Sequence, residues 1–220
     1  MIFSKCSAAA LFITVALTVA LAADSETWRF DNLQRIGGHT VTLQGNPQLI
    51  QTPQGKAVQF NGVDDAIFMD VHPLAGAATW TWEVIFRPDA GGAPEQRFFH
   101  LQENATDSRM LFEIRIVEGK WCLDSFAKSG ADSATLIDRA KLHPLGEWYR
   151  IAAVYDGRQF RNYVNGVLEE SADLHLAPQS AGRCSIGVRI NKQNYFKGAV
   201  AAARMTPRAL AVGEFLNAGK

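Results

Sequence analysis

Thr79-Trp80-Thr81-Trp82-Glu83-Val84-Ile85-Phe86-Arg87 is the stretch whose reading decides the fold. Trp80, Trp82, Val84 and Phe86 share one parity, and Thr79, Thr81, Glu83 and Arg87 share the other. A helix repeats its apolar positions every three or four residues, whereas an extended chain sends alternate side chains to opposite faces. The stretch therefore reads as a half-buried antiparallel strand. Residues 110–117 repeat the pattern, with Met110, Phe112, Ile114 and Ile116 inward and Glu113 and Arg115 outward.

Turn chemistry punctuates the chain on either side. Glu118-Gly119 separates 110–117 from 120–127. Asp156-Gly157 lies between 148–155 and 159–164, and Asn165-Gly166 leads into 167–174. Asp-Gly and Asn-Gly supply the positive φ angles of a tight hairpin. Many short strands bounded this way predict an all-β chain, folded as a two-sheet antiparallel jelly-roll sandwich. The one helical candidate is a short C-terminal turn within 209–217, after Pro207. Residues 23–220 contain no linker, repeat or low-complexity tract, which predicts a single domain.

The start of the chain reads differently. Met1-Ile-Phe-Ser-Lys5 precedes an uncharged apolar run over 6–22 that ends with small residues at Ala20 and Ala22. This is the pattern of a signal peptide over residues 1–22, cleaved after Ala22. The run is short for a membrane span of about 20 apolar residues, and Thr14 and Thr18 interrupt it. Cys6 stands at the start of the apolar run, not at its end, which argues against a lipoprotein anchor. The expected location is secreted or periplasmic, with no membrane span after cleavage.

The 220 residues carry 22 basic and 22 acidic side chains, and the leader removes only Lys5. With no run of like charges, this balance predicts no nucleic-acid or membrane partner, since both need a concentrated basic patch. Cys122 and Cys184 remain after cleavage. An oxidising compartment permits a disulfide between them, worth about 2–4 kcal/mol; two buried free thiols on separate strands is the other reading.

Beyond these patterns, several segments are similar to a known family. Trp28-Arg-Phe-Asp31-Asn32 resembles the opening strand of laminin-G-like, concanavalin A-like jelly-roll domains. Gly55-Lys-Ala-Val-Gln-Phe60-Asn-Gly62-Val-Asp64-Asp65-Ala-Ile-Phe68 resembles their G-x-A-x-x-F-x-G-x-x-D signature. The tryptophan-bearing strand, Gly146-Glu-Trp148-Tyr149, the hairpin Tyr163-Val-Asn165-Gly166, and Phe196-Lys-Gly198 through Leu210 follow in the family's order. The ordered set covers nearly all of 23–220. Most of it is explained by folding: glycines where the backbone turns and bulky side chains between facing sheets.

The resemblance also raises enzymes and calcium. A retaining glycosidase needs two carboxyl groups about 5–5.5 Å apart. Glu113 and Glu118 are the nearest approach on one strand, but their odd separation sends them to opposite faces. Lyase residue types exist in His100, Gln102, Arg115 and Tyr195, without the ordered lyase motifs. No G-x-S-x-G elbow frames Ser185, and no two of His39, His72, His100, His143 and His175 have zinc-ligand spacing. For calcium as a structural ion, motif position implies Asp31, Asp64 and Asp65. The closing strand, Gly198-Ala-Val-Ala-Ala-Ala-Arg204, adds no carboxylate, and Asp64-Asp65 reads equally as a turn. Asn104-Ala105-Thr106 is a glycosylation sequon.

The expected function is an exported, non-catalytic recognition module for carbohydrate or another extracellular polymer. Its expected contacts are Arg115, Asn191, Asn194 and Tyr195. The rivals are a glycan-active enzyme, lyase or glycosidase, with a nonstandard site, and a structural module that binds other exported proteins.

Overall fold

A computed structural model describes residues 24–216, so the expected leader and its cleavage site lie outside the described residues. Seventeen strands follow in chain order. The first seven are β1 (Glu26–Arg29), β2 (Arg35–Ile36), β3 (His39–Thr40), β4 (Thr42–Gln44), β5 (Gln48–Thr52), β6 (Gly55–Asn61) and β7 (Ala66–Met69). The long central strands are β8 (Trp80–Pro88), β9 (Glu95–Glu103), β10 (Arg109–Val117), β11 (Lys120–Ser129) and β12 (Asp132–Ile137). The last five are β13 (Tyr149–Tyr155), β14 (Gln159–Val164), β15 (Val167–Asp173), β16 (Gly182–Ile186) and β17 (Lys197–Thr206).

They form the expected antiparallel sandwich. One sheet runs β15-β14-β13-β8-β17-β6-β5, with β1 also pairing β17; the other runs β12-β11-β10-β9-β16-β7-β4. Trp80, Trp82, Val84 and Phe86 all enter the space between the sheets, as their parity requires. There the Trp82 ring lies 4.2 Å from Phe112 and 5.0 Å from Phe99, and Phe86 stacks on Phe98 at 4.5 Å, centroid to centroid. The hairpins form where the glycines mark them. Glu118 and Gly119 take φ of 50° and 73°, and Asn165 and Gly166 take 49° and 82°. At Asp156-Gly157 the aspartate instead accepts the N–H groups of Arg158 and Gln159, an Asx turn that widens the loop.

One detail differs from the sequence reading. The outer parity of β8 is not open to solvent. The C-terminal segment lies across it, with Leu210 N–H donating to the Thr81 hydroxyl at 2.9 Å and Leu216 N–H to the Glu83 carboxylate at 2.6 Å. Thr81 and Glu83 are consequently buried. The helical tail is a single 3₁₀ turn, Val212–Glu214, which closes that segment.

The disulfide reading is corrected. Cys122 and Cys184 are both free and buried. They sit on β11 and β16 with β10 and β9 between them. Three strand spacings of about 4.8 Å put them at least roughly 14 Å apart across the sheet, beyond the ~7 Å that a disulfide tolerates between Cα atoms. Register sets Cys122 level with Glu95 and Cys184 level with Leu101, which separates them further still along the strands.

Candidate functional site

The outer face of the seven-stranded sheet carries the chemistry. Arg109, Leu111, Glu113 and Arg115 share the outward parity of β10, and Asp124 and Phe126 face them from β11. In register, Glu113 opposes Asp124 and Leu111 opposes Phe126. On β9 an irregularity changes the parity. Phe112 pairs with Phe99 but Glu113 pairs with Arg97, leaving Phe98 as the extra residue. This bulge lets consecutive Phe98 and Phe99 both enter the core. It also turns Arg97 outward, where unbroken alternation would have sent it in.

Residues 188–195 rise from this face as a loop fastened at its base. Gly187 N–H donates to the carbonyl of Phe98 at 2.9 Å, and Phe196 N–H donates to Gly187 at the same distance. Gly187 has φ of 86°, and a Cβ there would lie 2.4 Å from the Phe60 ring. Only glycine fits. Ile190 N–H then donates to His100 Nδ1 at 3.1 Å, which ties the loop down onto β9 and leaves the His100 proton on Nε2.

A recess of about 160 Å³ opens beside the loop, lined by four arginines (Arg97, Arg109, Arg115 and Arg189) and by Glu113, Asp124, Leu111, Phe126 and Thr135. Arg115 reaches Glu95 at 2.8 Å, Asp124 at 2.6 Å and Glu113 at 3.3 Å. Arg97 pairs with Glu95 and, at 3.0 Å, with Glu113. Burial, and then the Asp124 carboxylate opposite, pushes the Glu113 carboxyl above its ordinary range; burial does the same to Asp124 against the pull of Arg115. Burial and the fields of Arg189, Arg109, Arg97 and Arg183 push His100 down to about 2, so its ring is neutral at any ordinary pH.

A second recess of about 360 Å³ lies on the other side of the loop, lined by Thr42, Gln44, Phe68, Asp70, Arg183 and Lys192 among others. The loop is thus a ridge between two recesses on one face.

The expected contacts divide on this geometry. Arg115 lies in the arginine recess, but it is ion-paired with three carboxylates. Asn194 borders the same corner: its carbonyl accepts from Arg97 N–H at 2.8 Å and its amide reaches the Glu95 carbonyl at 3.5 Å. Tyr195 faces away, its hydroxyl accepting from Gln44 at 2.6 Å, and Asn191 is exposed on the ridge. Arg97, Arg109 and Arg189 were not picked out by sequence reasoning. The outward parity of β10 pointed to Arg109; nothing local pointed to Arg97, whose face the bulge reverses, or to Arg189.

Asp31, Asp64 and Asp65 do not fit a calcium ion. Asp65 accepts the N–H of Asn46 at 2.7 Å on one oxygen and that of Asn61 at 3.0 Å on the other, and Asp64 accepts the Asn61 amide. These carboxylates cap the β6–β7 turn. Asp31 instead lines an opening on the other sheet, with Arg29 and Lys56. Among the described residues no three His, Cys, Asp or Glu side chains form a metal-sized group.

A family model described as the concanavalin A-like lectin/glucanases superfamily, of laminin G type, matches residues 61–214. No curated protein sequence matches the chain. Among solved structures, the fold is similar to domain 4 of AbnA, an extracellular arabinanase from Geobacillus stearothermophilus, in complex with arabinotriose. That likeness has a TM-score of 0.63 at 19% identity and covers 88% of this chain and 97% of that one. The receptor-binding domain of botulinum neurotoxin type G matches with a TM-score of 0.61 at 14% identity; 86% of this chain is covered but 48% of the toxin domain, about half its length. A heptameric pentraxin from Limulus polyphemus matches with a TM-score of 0.54 at 18% identity, over 78% of each chain.

Proposed function

The chain belongs to the concanavalin A-like lectin/glucanase superfamily, and from that premise we propose that it is an exported, non-catalytic module that binds carbohydrate on the outer face of its seven-stranded sheet. One observation carries this reading: two open recesses flank a fastened ridge on a single sheet face, and one of them is lined by guanidinium groups beside Phe126 and Leu111. Planar donors fix sugar hydroxyls or acidic groups, and apolar side chains cover the C–H faces of a ring. The fold shared with an arabinanase domain seen holding arabinotriose supports it. Export rests on the leader over 1–22, and among the described residues no helix is long and apolar enough to cross a membrane.

The test is binding of the purified protein to a polysaccharide panel, repeated with Thr135→Trp. Thr135 is exposed at the recess, so the indole fills the recess without disturbing the core. Binding lost in this variant and kept in Arg29→Gln, on the other sheet, supports the reading; the reverse pattern overturns it. N-terminal sequencing of the exported protein is expected to begin at Ala23.

An enzyme remains the second reading because Glu113 and Asp124 are opposed carboxylates on this face. Against it, Nη2 of Arg115 stands between them, where a glycosidic oxygen or a water would have to enter. New reducing ends or unsaturated products, abolished by Glu113→Gln, would replace the binding reading with this one.

A further inference from the structure

The four arginines of the recess are matched in number by four carboxylates, but one of the arginines touches none of them. Arg97 and Arg115 share Glu95, Glu113 and Asp124. Arg109 bonds the exposed Asp107 and lies over the Phe126 ring, 4.9 Å from its centroid. Arg189 has no hydrogen-bond or ion-pair partner for its side chain among the described residues. It is nevertheless half-buried.

We infer that the ligand of this face carries a fixed negative charge, a carboxylate or a sulfate ester on a sugar, and that the Arg189 guanidinium receives it. The inference rests on the glycan-binding reading above and names the chemical class of the sugar.

Three observations lead to it. The Arg189 side chain is disfavoured where it stands: burial, and then Arg109 and Arg97, push its pKa below the ordinary guanidinium range against the weaker pull of Glu113 and Glu95. Folding gains nothing from a partly desolvated cation beside two others, whereas an anion removes the penalty through a charge-assisted, two-toothed contact. The loop that presents Arg189 is also held in place before any ligand arrives. Its two ends are bonded to each other and to the β9 bulge, and its middle is bonded to His100. A held donor loses little entropy on binding. Finally, this corner of the fold holds buried polar atoms without a hydrogen-bond partner, His100 Nε2–H as donor and Asp124 Oδ1 as acceptor, which an acidic group and a hydroxyl of one sugar can meet together.

The carboxylates narrow the class. Glu95, Glu113 and Asp124 stand within the same cluster as the arginines, so a continuous phosphodiester strand would meet repulsion along with attraction. A sugar polymer bearing spaced charges places one anion at Arg189 and neutral hydroxyls near the carboxylates. The surrounding Leu111, Phe126 and Thr135 suit a ring better than a phosphate chain.

The experiment is calorimetric titration of the purified protein with trigalacturonate, a sulfated galacto-oligosaccharide, the uncharged counterpart of each, and a single-stranded oligonucleotide. The expected result is at least tenfold tighter binding of one acidic sugar than of its uncharged counterpart, with affinity falling as salt rises. Whichever acidic sugar wins identifies carboxylate or sulfate as the group. Arg189→Gln is expected to remove most of that preference without lowering Tm, and Arg189→Lys to keep part of it. Equal binding of charged and uncharged sugars, or an Arg189→Gln variant that keeps the preference, overturns the inference while leaving the glycan reading intact. Preference for the oligonucleotide over both acidic sugars overturns it as well, and silence toward every sugar overturns both readings.

Discussion

Glu113 and Asp124 stand directly opposite each other on β10 and β11, and a single nitrogen of Arg115 contacts both carboxylates, at 3.3 and 2.6 Å. Like charges in opposed positions repel, and here both are buried. Arg115 is what allows them to coexist, which makes it a support of the recess before it is a contact for anything in it.

Arg115→Ala is therefore expected to destabilise the fold by about 3–5 kcal/mol, the usual loss when one partner of a buried ionic cluster is removed. Glu113 and Asp124 have carboxyl groups raised by burial. A raised folded-state pKa means that the folded protein holds those protons more tightly than the unfolded chain, so stability declines as pH rises through that window. Without the guanidinium the window extends upward. The deficit of the variant should accordingly shrink between pH 7 and pH 4, measured by urea denaturation at each pH. A deficit independent of pH would assign the loss to packing.

Gly187→Ala tests how the ridge is held. The new methyl would lie 2.4 Å from the Phe60 ring and 3.0 Å from the Asp65 carbonyl, at φ of 86°. Strained backbone of this kind costs about 1–3 kcal/mol and overpacking a similar amount. The expected loss is roughly 2–6 kcal/mol by those two principles together, with faster proteolysis inside 188–195. Because the same glycine fastens the loop that carries Arg189, sugar affinity should fall as well. Unchanged Tm with unchanged affinity would show that the base of the loop is not fixed.

The fold was legible because its determinants are local: parity in β8 and β10, and Asn-Gly and Glu-Gly at the hairpins. The site was legible only in part. Arg115 and Glu113 lie on a strand whose alternation is unbroken, so their face could be read. Arg97 could not be placed, since an insertion of one residue in β9 reverses its direction and alternation alone gives no sign of it. Arg189 comes from a loop 74 to 92 positions away from the strands it faces, counting from Arg115 and Arg97. Even charge along the chain concealed the same thing: the arginines are scattered in sequence and meet only in the fold. The Asp64-Asp65 pair was legible as a turn as well as by its residue types: the Asp65 oxygens receive backbone N–H groups and Asp64 receives the Asn61 amide.

The cysteines should behave as two inert thiols. Burial pushes both upward in pKa, Cys184 most strongly, and the thiolate is the reactive form. A disulfide-reactive reagent should label neither in the folded protein and both after unfolding. A reducing agent should leave Tm unchanged. A drop in Tm on reduction would reveal a bond that the strand order forbids.

His100 gives the fold a pH dependence of its own. Burial and four surrounding arginines hold the ring neutral, with its pKa pushed down to about 2, against 6.5 for the free group. The sign follows from linkage: the unfolded chain takes up a proton below pH 6.5 that the folded protein refuses, so stability is full above that pH and lost as pH falls. The loss approaches about 1.4 kcal/mol per pH unit, or roughly 2 kcal/mol between pH 7 and pH 5. His100→Gln cannot titrate, so the difference between the two proteins should narrow by that amount over the same range, whatever His72 and the carboxylates add to both. The neutral ring also adds no charge to the arginine recess at pH 5 to 8. Affinity for a sulfate-bearing sugar should then follow only the raised carboxyls of Glu113 and Asp124 over that range, equally in the wild type and in His100→Gln, because neither the ligand nor the arginines titrate there. A rise in affinity near pH 6.5 that is lost in His100→Gln would mean that His100 becomes charged in the folded protein, contrary to its burial among Arg97, Arg109, Arg183 and Arg189.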